Sequence, residues 1–324
     1  MTKYLFGAVS ATALSLMLAS GASAAERLKV VASFSIIADF ARHVGGDRIE
    51  LTTIVGPDGD AHAYEPRPQD AAALSKADVI LANGANFESF LPRLVETSGS
   101  KAPIIELIKG VTLIETAHEH EDHAEAGHDH DSHEDHANHD AHDGHDHGPN
   151  DPHAFQSAAN AAIYVQNIAD ALCAADAEGC DTYTANAKPY LDELQALQTE
   201  LTALAASVPA ERRAIITSHD AFGYFAKAYD FKFLAAEGLS TEAQPSAANV
   251  ADLVRQARAQ KASAIFLENI SDPRLAEQIA RETGLTIGGT LYSDALTGPD
   301  GAAPSYIEMM RANMQTIVGA AKGS

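Results

Sequence analysis

An alternation of two kinds of segment constrains the fold more than anything else in the chain. Short runs rich in apolar and β-branched residues are followed repeatedly by stretches with an apolar residue every three to four positions. In the first block Leu28–Phe34, Ile49–Val55, Asp78–Asn83 and Pro103–Ile108 read as strands, with helices over Ile36–Val44, Arg67–Ala77 and Glu88–Thr97. The pattern resumes later. Strands over Arg213–His219, Lys232–Ala236, Ala264–Glu268 and Leu285–Tyr292 alternate with helices over Ala221–Tyr229, Ser246–Gln260, Asp272–Thr283 and Pro304–Ala321. Strands separated by helices of this length need crossover connections, which make parallel sheets. The chain is therefore expected to be α/β, with two (β/α)4 lobes. Between the blocks, Tyr190, Leu191, Leu194, Leu197, Leu201 and Leu204 recur with a period near 3.6 within Tyr183–Ser207. A helix of roughly 24 residues would run about 36 Å. The reading is one rigid linker helix over 181–207, with Pro189 starting or kinking it. It joins a lobe over 25–180 to a lobe over 208–324 and leaves them less free to hinge than coils would.

The first residues read as an export signal. Lys3 is the positive start, Leu5 to Ala19 the apolar run, and Ala22-Ser23-Ala24 the small-residue cleavage site, giving a signal peptide over 1–24 cut after about Ala24. The run is shorter than the roughly 20 residues that span a bilayer, and no later segment is long and apolar enough. No cysteine follows it to take a lipid anchor. The mature protein is expected to be soluble and exported. An oxidising compartment favours a disulfide between Cys173 and Cys180, closing a short loop at a helix end; two free thiols are the alternative. Two cysteines are too few for a disulfide scaffold or a Cys-based zinc site. The net charge of −23 argues against nucleic acid as a partner. The absence of Trp argues against a stacking platform.

Histidine is the unusual component, at 15 residues. Eleven of them (His118, His120, His123, His128, His130, His133, His136, His139, His142, His145 and His147) fall in one 30-residue tract with eleven Asp or Glu and no Lys or Arg. Such a composition cannot build a core, so a disordered loop is expected over 116–148. Imidazole suits Zn²⁺, Cu²⁺ and Ni²⁺. The tract offers many interchangeable ligands and no fixed geometry, hence several weak, dynamic sites. A merely solvated acidic loop is the alternative.

Four histidines lie outside it. His43 sits in an amphipathic helix pattern and reads as a surface residue near the helix end. The other three are at loops or strand ends. His62 follows the strand Ile49–Val55, His153 follows the tract in Asp151-Pro152-His153, and His219 ends the strand Arg213–His219. Ligands of open parallel sheets bind beyond the carboxyl ends of strands. Asp294, just past the last strand, is a fourth candidate. Two ligands from each lobe would place a cation between them, and three His with one Asp suit a tetrahedral Zn²⁺ shell. A water could replace Asp294. Glu65 and Asp220 are expected to orient ring N–H groups. Affinity should fall as pH drops through the imidazole range near 6.5.

His62-Ala63-Tyr64-Glu65-Pro66-Arg67-Pro68-Gln69-Asp70 resembles the His-x-aromatic-Glu-Pro-x-Pro-x-Asp motif of the metal-specific periplasmic binding proteins of ABC transporters, the ZnuA- and AztC-like group of cluster A-I. Asp151-Pro152-His153 and Ser218-His219-Asp220-Ala221-Phe222-Gly223-Tyr224 resemble its second and third ligand motifs, and Glu242-Ala243-Gln244-Pro245-Ser246 its Glu-Pro-Ser-type segment. The resemblance spans nearly all the mature chain. It implies two (β/α)4 lobes, a rigid connecting helix and a metal buried at the interface. It also implies delivery of Zn²⁺ to a permease in the inner membrane, with a periplasmic zinc metallochaperone as a further partner. Zinc members of the family often carry a loop rich in His and acids. Manganese members tend to place Glu where this chain has His219, which favours zinc. The acid that some zinc members place before the first His is replaced by Ala61, while Asp294 matches the fourth ligand of manganese members and of a subset of zinc members. The chain is read as a non-enzymatic, monomeric, high-affinity zinc receptor. A hydrolase would need an open coordination position and a base such as Glu65, and the chain has no His-Glu-x-x-His motif. A manganese or iron receptor, or a periplasmic zinc buffer or chaperone without a transporter, are the alternatives.

Overall fold

The computed structural model describes residues 26–115 and 150–323. The export segment and the histidine tract lie outside the described residues. Two parallel sheets of four strands form the two halves. β1 (Leu28–Phe34), β2 (Ile49–Val55), β3 (Val79–Ala82) and β4 (Ile104–Glu106) lie in the order β2-β1-β3-β4. β5 (Ala214–Thr217), β6 (Lys232–Ala235), β7 (Ile265–Glu268) and β8 (Ile287–Leu291) repeat it as β6-β5-β7-β8. Register aligns Val31 with Thr52 and Ile80 in the first sheet, and Ile216 with Leu234 and Ile265 in the second. Burial explains the strand sequences. Val79-Ile80-Leu81-Ala82 of the inner strand β3 is buried throughout, whereas the edge strand β2 carries exposed Glu50 and Thr52 among buried residues. An inner strand of a parallel sheet is covered on both faces and so reads as a continuous apolar run.

The helices are α1 (Ser35–Gly45), α2 (Pro68–Leu74), α3 (Leu91–Ser98), α4 (Ala158–Ala175), α5 (Cys180–Ala206), α6 (Gly223–Tyr229), α7 (Ala247–Ala259), α8 (Pro273–Thr283) and α9 (Tyr306–Gly323). Several are shorter than their sequence pattern. Pro68, Pro92 and Pro273 sit in the first turns of α2, α3 and α8, where a missing N–H costs nothing. The helix α4 was not expected. Its buried Ala161, Tyr164, Val165, Ile168, Ala169 and Leu172 have helical spacing. It escapes an argument from alternation because no strand separates it from α5.

The connector begins at Cys180, ahead of Tyr183, and runs through Pro189 for 27 residues, about 40 Å at 1.5 Å per residue. One stripe of it is buried: Tyr183, Ala187, Tyr190, Leu194, Leu197, Leu201 and Ala205. That stripe packs against α1 and α4 from the first half and α6 and α9 from the second. One hydrophobic core therefore runs from Phe34 and Phe40 through Leu197 to Phe222, Phe225 and Met314. A smaller cluster with Ile216, Leu253, Ile265 and Ile279 lies on the other face of the second sheet. The half-buried cysteines are bridged: Cys173 of α4 is disulfide-bonded to Cys180 of α5. Beside the bridge, Asp176 accepts from Arg48 Nη2 at 2.8 Å and from the Tyr183 hydroxyl at 2.7 Å.

Candidate metal centre

In each sheet the chain turns first to one side and then to the other, so a crevice opens at the carboxyl ends of β1 and β3 and of β5 and β7. The candidate residues gather there. His62 sits in the loop after β2, where its backbone N–H donates to Asp60 Oδ1 at 2.9 Å. The following motif is braced by Asp70, whose Oδ2 accepts from the Tyr64 hydroxyl at 2.9 Å and from the Arg67 N–H at 2.7 Å. His153 follows no strand directly. Its turn is fastened to the end of β3 by Asn83, which donates from Nδ2 to Pro152 O at 2.8 Å and accepts from the Tyr164 hydroxyl at 2.7 Å. Glu115 and Asn150 pair in an isolated antiparallel bridge beside this turn. His219 comes two residues after β5, and Asp294 three after β8.

These four side chains present ligand atoms that all lie within 4.8 Å of one another, and all four residues are buried. His62 Nε2 is 3.2 Å from His153 Nε2 and 3.3 Å from Asp294 Oδ2; His219 Nε2 is 3.0 Å from Asp294 Oδ2; His153 Nε2 is 3.7 Å from Asp294 Oδ1. Tetrahedral bonds of about 2.0–2.1 Å put neighbouring ligand atoms about 3.3 Å apart. Three of these separations are close to that value, and the whole set stays within 4.8 Å, near enough to share one ion.

Carboxylates behind the rings fix which nitrogen carries the proton. His153 Nδ1 lies 2.8 Å from Asp151 Oδ1, and His219 Nδ1 lies 2.6 Å from Glu268 Oε2. A proton on His153 Nδ1, shared with Asp151, leaves Nε2 as a lone pair aimed inward, while Glu268 Oε2 lies against His219 Nδ1 as a close charge contact outside hydrogen-bond alignment. Lone pairs converging on one another and on a carboxylate repel unless a cation or a proton sits among them. Asp294 Oδ1 is buried with no hydrogen-bond partner among the described residues. The charge states agree. Burial opposes the charged form of Asp294, yet His153 and His219 hold it well below the usual carboxylate range. Burial would likewise lower His219, but Glu268 and Asp294 outweigh it and raise it well above its ordinary value. Burial dominates at His62 and lowers it. Phe87 meets the rings of His62 and His153 edge-on, with centroids 4.7 and 5.6 Å away, and walls the cluster from water.

Two expected partners are displaced. Glu65 and Asp220 are exposed, and among the described residues no hydrogen bond joins either to a ring nitrogen. Asp220 instead donates its backbone N–H to Gly238 O. The groups that do the orienting are Asp151, two positions before His153, and Glu268, an acid closing an otherwise apolar strand. Glu268 Oε1 also accepts the backbone N–H groups of Ser218 and His219 at 2.7 and 3.0 Å. The glycine of the third motif has a packing reason. A Cβ on Gly223 would sit 2.5 Å from Asp151 Oδ2, and Tyr224 beside it donates its hydroxyl to Asp151 O at 2.9 Å. The second half's motif thus holds the first half's histidine turn. His43 stays apart from the cluster, stacked on Tyr190 with centroids 4.1 Å apart. A polar cleft of about 560 Å³, lined in part by Asp60, Glu237, Thr241 and Asp272, lies beside the cluster and contains none of its four residues.

Known proteins share this architecture. The chain is 31% identical over 293 residues to the "Iron-binding protein YfeA" of Yersinia pestis, covering 90% of this chain and 86% of the relative. It is 30% identical over 298 residues to the "Manganese ABC transporter substrate-binding lipoprotein PsaA" of Streptococcus pneumoniae, covering 92% and 90%. Among solved structures it is similar to a manganese-bound periplasmic metal binding protein from candidatus Liberibacter asiaticus, with a TM-score of 0.75, 29% identity and coverage of 90% and 98%. It is also similar to the periplasmic zinc binding protein TroA from Treponema pallidum, with a TM-score of 0.76, 25% identity and coverage of 91% and 99%. Residues 30–320 match the family model described as "Zinc-uptake complex component A periplasmic". The chain belongs to this ZnuA family, the metal-binding, non-enzymatic receptor components of ABC transporters, which work with a membrane permease and an ATPase.

Proposed function

We propose that this is a periplasmic, high-affinity zinc receptor that loads one Zn²⁺ between its halves and delivers it to the permease of an ABC importer. His62, His153 and His219 bind through Nε2 and Asp294 through a carboxylate oxygen. The observation that carries the reading is the convergence of three imidazoles and one carboxylate, whose ligand atoms all lie within 4.8 Å of one another on four buried residues. A closed set of nitrogen and oxygen ligands suits zinc and leaves no open position for hydrolysis. The tract adds weak sites that concentrate or buffer the ion. The protein acts as a monomer, and a periplasmic zinc metallochaperone is a further partner. The export signal ends at about Ala24.

One observation favours a second reading, a manganese or iron receptor. Asp294 Oδ1 has no hydrogen-bond partner among the described residues and can join Oδ2 in chelating, which raises the coordination number toward what harder ions prefer. Relatives named for iron and manganese fit that reading too. Calorimetry with Zn²⁺, Mn²⁺ and Fe²⁺ on the mature chain separates the two, zinc being expected to displace the others. In the same experiment His62→Ala should lose the tight event, while deletion of 118–147 should remove only weak ones. Loss of the tight event on deletion, with His62→Ala unaffected, would refute the assignment.

A further inference from the structure

The loop that carries Asp294 is gripped by two buried carboxamides, one from each half of the molecule. From its own half, Asn313 on α9 donates from Nδ2 to Tyr292 O at 2.8 Å, and its Oδ1 accepts the Tyr292 N–H at 2.8 Å. From the other half, Gln156 donates from Nε2 to Tyr292 O at 3.3 Å and to Ser293 O. Neither side chain has any solvent exposure. Gln156 ends the turn Ala154–Gln156 that starts from His153, and its own N–H donates to His153 O at 3.0 Å. A single turn therefore presents an imidazole to the cluster and holds the backbone next to the cluster's carboxylate.

Core packing alone does not call for a carboxamide at this place. Gln156 Oε1 is buried with no hydrogen-bond partner among the described residues, a costly arrangement that an apolar side chain of the same length would avoid. What the amide gains in return is at its donor end, on the Asp294 loop. The two grips also differ in kind. Asn313 belongs to the same half as Asp294 and keeps the loop's shape whether or not the halves part. The Gln156 contact exists only while they are together.

We propose that Gln156 is a positioning residue that latches the Asp294 loop to the His153 turn and so sets how long the bound metal is retained. The inference rests on the metal assignment given under Proposed function. Removing the latch should act on release, because the separated state never contained it, and should leave association unchanged.

The test is stopped-flow zinc release into excess chelator from the mature full chain, with the association rate and the metal-free thermal midpoint measured alongside. Gln156→Met keeps the volume and removes the donor. It is expected to release zinc about tenfold faster, the worth of one lost hydrogen bond, with association changed by less than about twofold. Gln156→Glu, which faces a carboxylate toward two carbonyl oxygens, should release faster still. If Gln156→Met does not fold, Gln156→Asn decides, since it keeps the amide but withdraws it by one methylene; faster release is again expected. Release at the wild-type rate in whichever variants fold overturns the proposal, as does a loss carried by the association rate. A wild-type chain that holds no metal removes the metal assignment and this inference with it. A wild-type chain that holds zinc, beside variants with unchanged release, removes this inference alone.

Discussion

At the scale of single residues, the cluster depends on carboxylates that never touch its centre. Glu268 spends one oxygen on the backbone of Ser218 and His219 and directs the other at His219 Nδ1. Glu268→Gln keeps the size and places an amide where the ring's N–H needs an acceptor. Partners of this kind are worth about 10–100-fold in metal affinity. That loss is expected in competition against a fluorescent zinc chelator, with the fold retained by circular dichroism. The members of the cluster itself, His62, His153, His219 and Asp294, were visible in the sequence because loop and strand-end positions mark them out. Asp151 and Glu268 were not assigned, because what a carboxylate touches depends on the turn or neighbouring strand beside it. Glu65 and Asp220 were chosen by proximity in sequence, and neither side chain is hydrogen-bonded to a ring nitrogen among the described residues.

Among the elements, α5 bears the most weight. Its buried stripe touches helices from both halves, so it serves as the common wall of one core. Leu197, at its middle, has no exposure. Leu197→Ala should cost about 2–5 kcal/mol through lost transfer energy and an unfilled cavity, read as a lower urea midpoint at unchanged slope. A drop in slope would instead mean that the halves unfold separately. The strands and this helix were legible from periodicity, with ends shifted by a few residues where prolines and caps decide. The helix α4 has an equally regular pattern, yet only its packing against α1 and α5 reveals its place.

For the whole molecule, the two halves meet at the cluster as well as along α5. Asp58 donates its N–H to Leu296 O at 2.8 Å, and Ser35 Oγ accepts the Leu296 N–H at 2.9 Å. A metal bound as proposed, by residues of both halves, would close this interface at its centre. A ligand that binds only the folded state stabilises it by mass action, about 4 kcal/mol at a thousandfold excess over Kd. Zinc should therefore raise the thermal midpoint in a concentration-dependent way, chelator should reverse it, and calorimetry should show one transition in both states. An unmoved midpoint would mean that the ion sits outside the folded halves.

The sequence by itself determined the class of the fold, the existence of two parallel sheets and the identity of the side chains able to hold a transition metal. Those properties are local: strand–helix alternation sets parallel pairing, and residue chemistry sets ligand type. It also made the Cys173–Cys180 bridge the favoured pairing, as found. Only the tertiary structure decided which carboxylates orient the imidazoles, how Gln156 and Asn313 share the Asp294 loop, and that one core runs through both halves. Those features join residues more than 130 positions apart, such as Gln156 and Ser293 or Ser35 and Leu296. Their contacts are set by how finished elements pack, and no local pattern along the chain encodes that.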